Sequence, residues 1–300
     1  MIIGAVEFRR NRLAVSGTRY AMNQKATAAD GPTISTRVEK KQVEERTAIG
    51  AHVVYEAIRR EGEEELQRAV SALAWSALAA GLSMGFSFIA EALLKSLLPQ
   101  QPWHRLITQL GYSVGFLIVV LGRQQLFTEN TLTVVLPLLR NKDLHTLVRM
   151  LRLWAIVLTT NLVGTFLFAL CVAKIDIFDP RTTTSMIEIG QAHMGAPFLI
   201  AFMRSIFAGW LIALMVWLLP GAETARVGII IIITYLIGLG GFNHIIAGST
   251  TVFYLVVQGE VSLGAYFTQF FLPTILGNVL GGLSLVAALG HAQVVGGKDD

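Results

Sequence analysis

The stretch Gly238-Leu239-Gly240-Gly241-Phe242-Asn243-His244-Ile245-Ile246-Ala247-Gly248-Ser249 decides the fold. It lies inside an apolar segment long enough to cross a bilayer. An ionisable side chain is expensive at membrane depth, so His244 reads first as a pathway or relay residue. The plainer reading is a histidine hydrogen-bonded to a neighbouring helix. The glycines around it let the helix unwind. Unwound backbone in a membrane is tolerated only where protein buries it or where it lines a cavity.

Composition agrees with a membrane setting. Of the 300 residues, 53% are hydrophobic and 15% charged, whereas a soluble domain carries about 25% charged residues. Mean hydropathy is +0.59. The charges crowd into residues 1–68, and residues 69–290 carry long apolar runs. The net charge of +4 has no basic face with interleaved aromatics, so nucleic acid is not an expected partner. The lone cysteine, Cys171, excludes an intrachain disulfide. Six scattered histidines give no metal-ligand cluster, and no cofactor is implied.

A spanning helix needs about 20 apolar residues. Six segments qualify: roughly 69–98, 107–139, 147–173, 196–219, 227–258 and 264–290. The second and fifth are too long for one simple crossing, and both are interrupted. The second breaks at Gly122-Arg123-Gln124-Gln125-Leu126-Phe127-Thr128-Glu129-Asn130, the fifth at the stretch quoted above. Each is the middle span of three. Interruptions at corresponding places of two halves point to a transport site at the repeat interface. The expected fold class is therefore an all-α integral membrane protein, six helices in two inverted three-helix repeats. Arg140, Lys142, Arg149, Arg152 and Arg226 mark one side, so both termini are expected in the cytoplasm. Trp103, Trp154 and Trp217 sit near span ends, as interface anchors do. The remaining divisions are a polar, disordered extension (1–49), a cytoplasmic amphipathic helix (50–68), and a short cytoplasmic tail (291–300).

Short motifs then carry a resemblance. Leu126-Phe127-Thr128-Glu129-Asn130, Gly241-Phe242-Asn243-His244-Ile245-Ile246-Ala247-Gly248, Asn161-Leu162-Val163-Gly164 and Pro273-Thr274-Ile275-Leu276-Gly277-Asn278-Val279-Leu280-Gly281-Gly282 resemble, in order and spacing, motifs of the formate/nitrite transporter family. The resemblance covers about residues 50–290. It implies an aquaporin-like fold, a homopentamer in a bacterial inner membrane, and passage of small monovalent anions or their weak acids, of the formate, nitrite or hydrosulfide type. It puts His244 in mid-pore facing the anion, Thr128 beside it, and Leu126 and Phe127 at two hydrophobic constrictions. Counting along helices adds Tyr112, Phe116, Ile212 and Ile237 to those constrictions.

The departures from the family matter as much. His193 falls where many members carry a vestibule lysine. As a histidine it would become positive only on acidification. Asn243 replaces an acid before the central histidine, while Gly209 and Gly248 replace asparagines. Arg123, Glu129 and Arg204 are expected to form a buried charge set holding the loop. Glu91 and Lys95, four residues apart, are expected to pair or to snorkel. These departures motivate a second reading, the same fold passing a neutral or cationic solute. A receptor or anchor without flux is a third. An enzyme built on His244 and Ser249 is disfavoured, because five residues separate them and no oriented base accompanies the serine.

Overall fold

In a computed structural model of the chain, residues 49–222 and 224–285 are described. The expectations for the N-terminal extension, for the tail, and for the last turn of the sixth span fall mainly outside these residues. Helix α1 (Ala51–Gln67) precedes α2 (Val70–Leu97), the first span. The second span comprises α3 (His104–Thr108), a 3-10 turn (Gln109–Tyr112) and α4 (Ser113–Leu121). After a loop it resumes as α5 (Asn130–Thr133) and α6 (Val135–Asn141). The third span is α7 (Leu144–Lys174), followed by the crossing helix α8 (Pro180–Ala192) and the fourth span α9 (Phe198–Leu218). The fifth is α10 (Arg226–Gly240) plus α11 (Ile245–Gln258), bent by 49° at the break. The sixth runs through α12 (Leu263–Ala265), a π turn (Tyr266–Phe271) and α13 (Leu272–Leu285). This is the all-helical, six-span membrane architecture expected, with the second and fifth spans broken.

Local chemistry sets the boundaries. Asp143 opens α7 by accepting the Thr146 amide at 2.9 Å, and Asp179 opens α8 in the same way with Pro180 behind it. Both are N-caps that satisfy amides a helix start leaves free. Gly241 ends α10 at φ +62°, in the left-handed region where glycine carries no Cβ penalty. Pro273 lacks an amide donor, and the chain enters it through the wider π turn.

The two halves repeat one another in atomic detail. On α7, Asn161 accepts the Phe127 amide at 3.0 Å and donates to Ala77 O at 2.7 Å and Gln125 O at 2.9 Å. On α13, Asn278 accepts the Ile245 amide at 2.8 Å and donates to Ser205 O at 2.8 Å and Asn243 O at 2.9 Å. Each asparagine ties a broken span to the first span of its own half. Small residues allow the approach. A Cβ on Gly81 would lie 2.2 Å from Asn161 O, and one on Gly209 would lie 2.2 Å from Asn278 O. Gly209 is therefore the counterpart of Gly81, and packing explains why no asparagine stands there. A Cβ on Gly248 would meet the Phe270 ring at 2.4 Å, so an aromatic ring fills the space an asparagine would need.

Helix α1 lies across the broken second span. Val54, Ile58 and Leu66 are buried, and a Cβ on Gly62 would strike Thr133 O at 2.1 Å. Arg59 pairs with Glu56 at 2.5 Å and also with Glu63, and Arg140 of α6 reaches Glu56 at 3.5 Å. The Arg59 guanidinium holds the Glu56 carboxyl down at about 2.

Candidate functional site

His244 and Thr128 meet where the two breaks face each other, both fully buried. As the N-cap of α11, His244 accepts the Ala247 amide on Nδ1 at 3.2 Å. A nitrogen that accepts carries no proton, so the ring is neutral with its hydrogen on Nε2. Nε2–H then donates to Thr128 Oγ1 at 2.7 Å. The Thr128 hydroxyl hydrogen is left over. Two residues that could both be donors thus resolve into an ordered pair with one free O–H.

Of the expected constriction residues, Phe116 lies against this pair. It sets its ring edge against the imidazole, with centroids 5.0 Å apart, and Tyr112 packs on Phe116 with its ring tilted, centroids 5.4 Å apart. Tyr112, Phe116, Leu126, Ile212 and Ile237 are all buried in the core. Phe127 departs from expectation. Its ring packs on Trp154 at 5.8 Å, and with Trp154 it lines an apolar groove of about 370 Å³ together with Ala155, Ile275 and Leu280. The amide of Phe127, rather than its ring, belongs to the clamp. Trp154 also donates to Asn130 O at 3.1 Å, tying α7 to the start of α5.

A cavity opens on each side of the pair. The larger, about 650 Å³, is lined by Lys95, Arg105, Tyr112, His193, Arg204 and the Gly238–Phe242 backbone. Arg105 donates to Leu239 O at 2.9 Å. Lys95 bridges to Glu188 at 2.9 Å, and Glu91 accepts instead from Gln109 at 2.6 Å. The expected Glu91–Lys95 pair is therefore replaced by partners from other elements. His193 lines this vestibule but does not stand free in it. Nδ1 bonds to Asn243 Oδ1 at 3.2 Å, and burial holds its pKa below the ordinary histidine value. A neutral hydrogen bond joins His193 and Asn243.

The smaller cavity, about 350 Å³, lies under α1. Here the expected charge set comes apart. Arg123 is exposed, sits at φ +50° and pairs with Glu61 of α1 at 2.9 Å. Arg204 is exposed at the opposite vestibule. Glu129 is half-buried, and its Oε1 is sealed from solvent with no hydrogen-bond partner among the described residues. Charges spaced along one chain separate when the break turns them toward different elements. Gln125, Asn161, Asn278 and Glu65 join the site through contacts that the sequence pattern does not mark. The two asparagines stood inside the quoted motifs, but Glu65 depends on where α1 docks, which no span pattern encodes.

Two broken spans meeting at a buried polar pair, with a cavity on either side, define a membrane channel or transporter. The family model described as formate/nitrite transporter matches residues 52–292, and the chain belongs to that family, one of channels and transporters rather than enzymes. The inner membrane protein YfdC of Escherichia coli (strain K12) is 41% identical over 251 residues, covering 84% of this chain and 81% of that one. The formate channel BtFdhC of Bacillus thuringiensis is 23% identical over 240 residues, covering 78% and 91%. Among solved structures, a pentameric formate channel with formate bound superposes with a TM-score of 0.66 at 20% identity, covering 75% of this chain and 98% of that chain. An FNT family ion channel gives 0.69 at 20% identity, covering 81% and 99%.

Proposed function

We propose that the protein conducts small monovalent anions or their weak acids past His244, as a homopentamer in a bacterial inner membrane with both termini cytoplasmic. The observation that carries this reading is the His244–Thr128 pair, which presents one uncommitted O–H in an apolar waist. An anion in hydrocarbon carries a large Born penalty. A donor at the waist offsets part of it, and Phe116, Ile212 and Ile237 strip water from whatever arrives. A weak acid crosses more cheaply as the neutral molecule, accepting from Thr128 on its way. The names of the formate channels it resembles support the substrate class, and one of those is pentameric.

Proteoliposome flux of formate, nitrite, hydrosulfide and ammonium at two pH values tests the reading. Anion flux is expected, with His244→Phe abolishing or re-selecting it while assembly survives. Thr128→Val is expected to lower flux by about tenfold or more, the effect of one hydrogen bond to a charged group, and Thr128→Ser to retain it. A folded His244→Phe protein with unchanged rate and pH dependence refutes the role of the histidine. The carboxylates of the smaller cavity favour the second reading, a cationic solute, and the ammonium arm separates the two.

A further inference from the structure

The cavity under α1 holds acceptor oxygens with no matching donors. Glu129 Oε1 and Gln124 Oε1 are both sealed from solvent and hydrogen-bonded to nothing among the described residues, and both residues line this cavity. Buried polar atoms are almost always paired, so two orphans on one wall call for a missing hydrogen. A second carboxyl, Glu65 of α1, lines the same cavity. Unlike Glu129 it has donors. Its oxygens accept from Gln125 Nε2 at 2.8 Å and from Thr133 Oγ1 at 3.2 Å, although the single Thr133 hydrogen is shared with Asn130 Oδ1 at 3.3 Å. The Gln125 amide cannot turn round, because its own oxygen accepts from Asn130 at 3.1 Å.

Donors aimed at one carboxyl stabilise its charged form, and a carboxyl without donors beside it takes the proton. Burial also pushes Glu65 above the usual carboxylate range, so this cavity is a poor place for two charges. The remaining charged groups here do not change that. Glu61 is matched by Arg123. Glu64 of α1, Arg68 at its end and Arg226 of α10 line the same cavity. Arg152 of α7 reaches the end of α1, donating to Arg68 O at 3.3 Å. The end of α9 contributes apolar Val216 and Leu219.

We propose that Glu129 is a specificity-determining residue, a protonation-controlled charge filter at the α1-side mouth of the pore. The inference rests on the anion reading above. Protonated, Glu129 is neutral and an anion passes the mouth. Ionised, it adds a charge beside Glu65, one residue from Thr128, and anions are turned back. The only chemistry is proton exchange: the carboxyl O–H gives its proton to water in the mouth and takes one back.

Formate flux in proteoliposomes, with equal pH on both sides from 5 to 9, tests this for the whole chain. The readout is the ratio of variant to wild type at each pH, which cancels protonation of formate itself. Glu129→Gln preserves shape and supplies a permanent N–H donor. Its ratio should sit near one at acid pH and rise at least about fivefold at alkaline pH, the weight of one unit charge 4 Å from the path even at the dielectric of water. A ratio flat across pH overturns the filter while leaving the anion reading intact. Wild-type protein that carries no anion at any pH overturns both. If Glu129→Gln does not assemble, Glu65→Gln decides. Removing the neighbouring charge eases ionisation of Glu129, so the fall of flux with pH should begin at lower pH, and an unmoved profile overturns the proposal.

Discussion

At the scale of single residues, His193 shows how a neighbour changes a reading. Alone it suggests a pH-tuned vestibule charge that turns positive near 6.5. In place it donates to Asn243 and is partly buried, which disfavours the charged ring. A histidine whose folded pKa is depressed lends stability that is fully present above the unfolded value. That stability is lost as pH falls through the native one. Any gain in anion attraction therefore moves below pH 6.5. Wild type and His193→Gln should carry formate alike from pH 6.5 to 8 and diverge only in more acid buffer. His193→Lys should raise uptake at low formate throughout, because its charge is permanent. A divergence already present at pH 7.5 would contradict this. His244 itself was legible in the sequence, since one ionisable group in an apolar span stands out on cost alone. Its tautomer was not, because that follows from an amide three residues on, and only a capped helix start brings that amide to Nδ1.

At the scale of elements, Asn161 and Asn278 are what make a broken span rigid. Each satisfies two backbone groups that unwinding set free and bonds a carbonyl of the first span of its half, and a buried backbone group left unpaired costs about 1–3 kcal/mol. Asn161→Ala and Asn278→Ala should each lower the melting temperature in detergent by similar amounts, because the two clamps are counterparts. Asn278→Ala should in addition impair flux, since its clamp positions the residues on either side of His244. Gly209→Asn, which introduces the asparagine expected from the resemblance, should destabilise rather than improve the protein, because its Cβ has no room beside Asn278 O. Melting curves with Gly209→Asn as stable as the parent would show that α9 and α13 can separate freely. The breaks were readable as glycine and polar interruptions at matched places. The clamps were visible only as letters in a motif, because a three-way hydrogen bond between spans has no periodic signature. The charge set failed for the same reason: spacing along the chain says nothing about which helix each arginine will face.

At the scale of the molecule, two surfaces carry the remaining expectations. The groove of Phe127, Trp154, Ile275 and Leu280 is almost wholly apolar, and in the proposed pentamer a neighbouring copy covers it. Native mass measurement in detergent should give five copies of the 32.7 kDa chain, and a stable monomer or dimer would count against it. The second surface is electrostatic. The larger vestibule is lined by Lys95, Arg105 and Arg204 with Glu91 and Glu188, while the cavity under α1 is lined by Glu61, Glu64, Glu65 and Glu129 with Arg68, Arg123 and Arg226, so the balance tips slightly positive in the first and slightly negative in the second. In the proposed anion channel, anions entering at the side of Arg105 and Arg204 are concentrated by that field, which salt screens over a Debye length of about 10 Å at 0.1 M. Arg105 is also bonded to Leu239 O, so Arg204, exposed at the vestibule wall, is the cleaner probe. Arg204→Gln should raise the formate concentration for half-maximal uptake several-fold and leave the limiting rate unchanged, because Arg204 lies outside the waist where water is stripped. Added salt should weaken wild-type uptake at low formate more than it weakens the variant. A change confined to the limiting rate would place Arg204 in the waist itself, and equal salt sensitivity would deny the vestibule any part in gathering the anion.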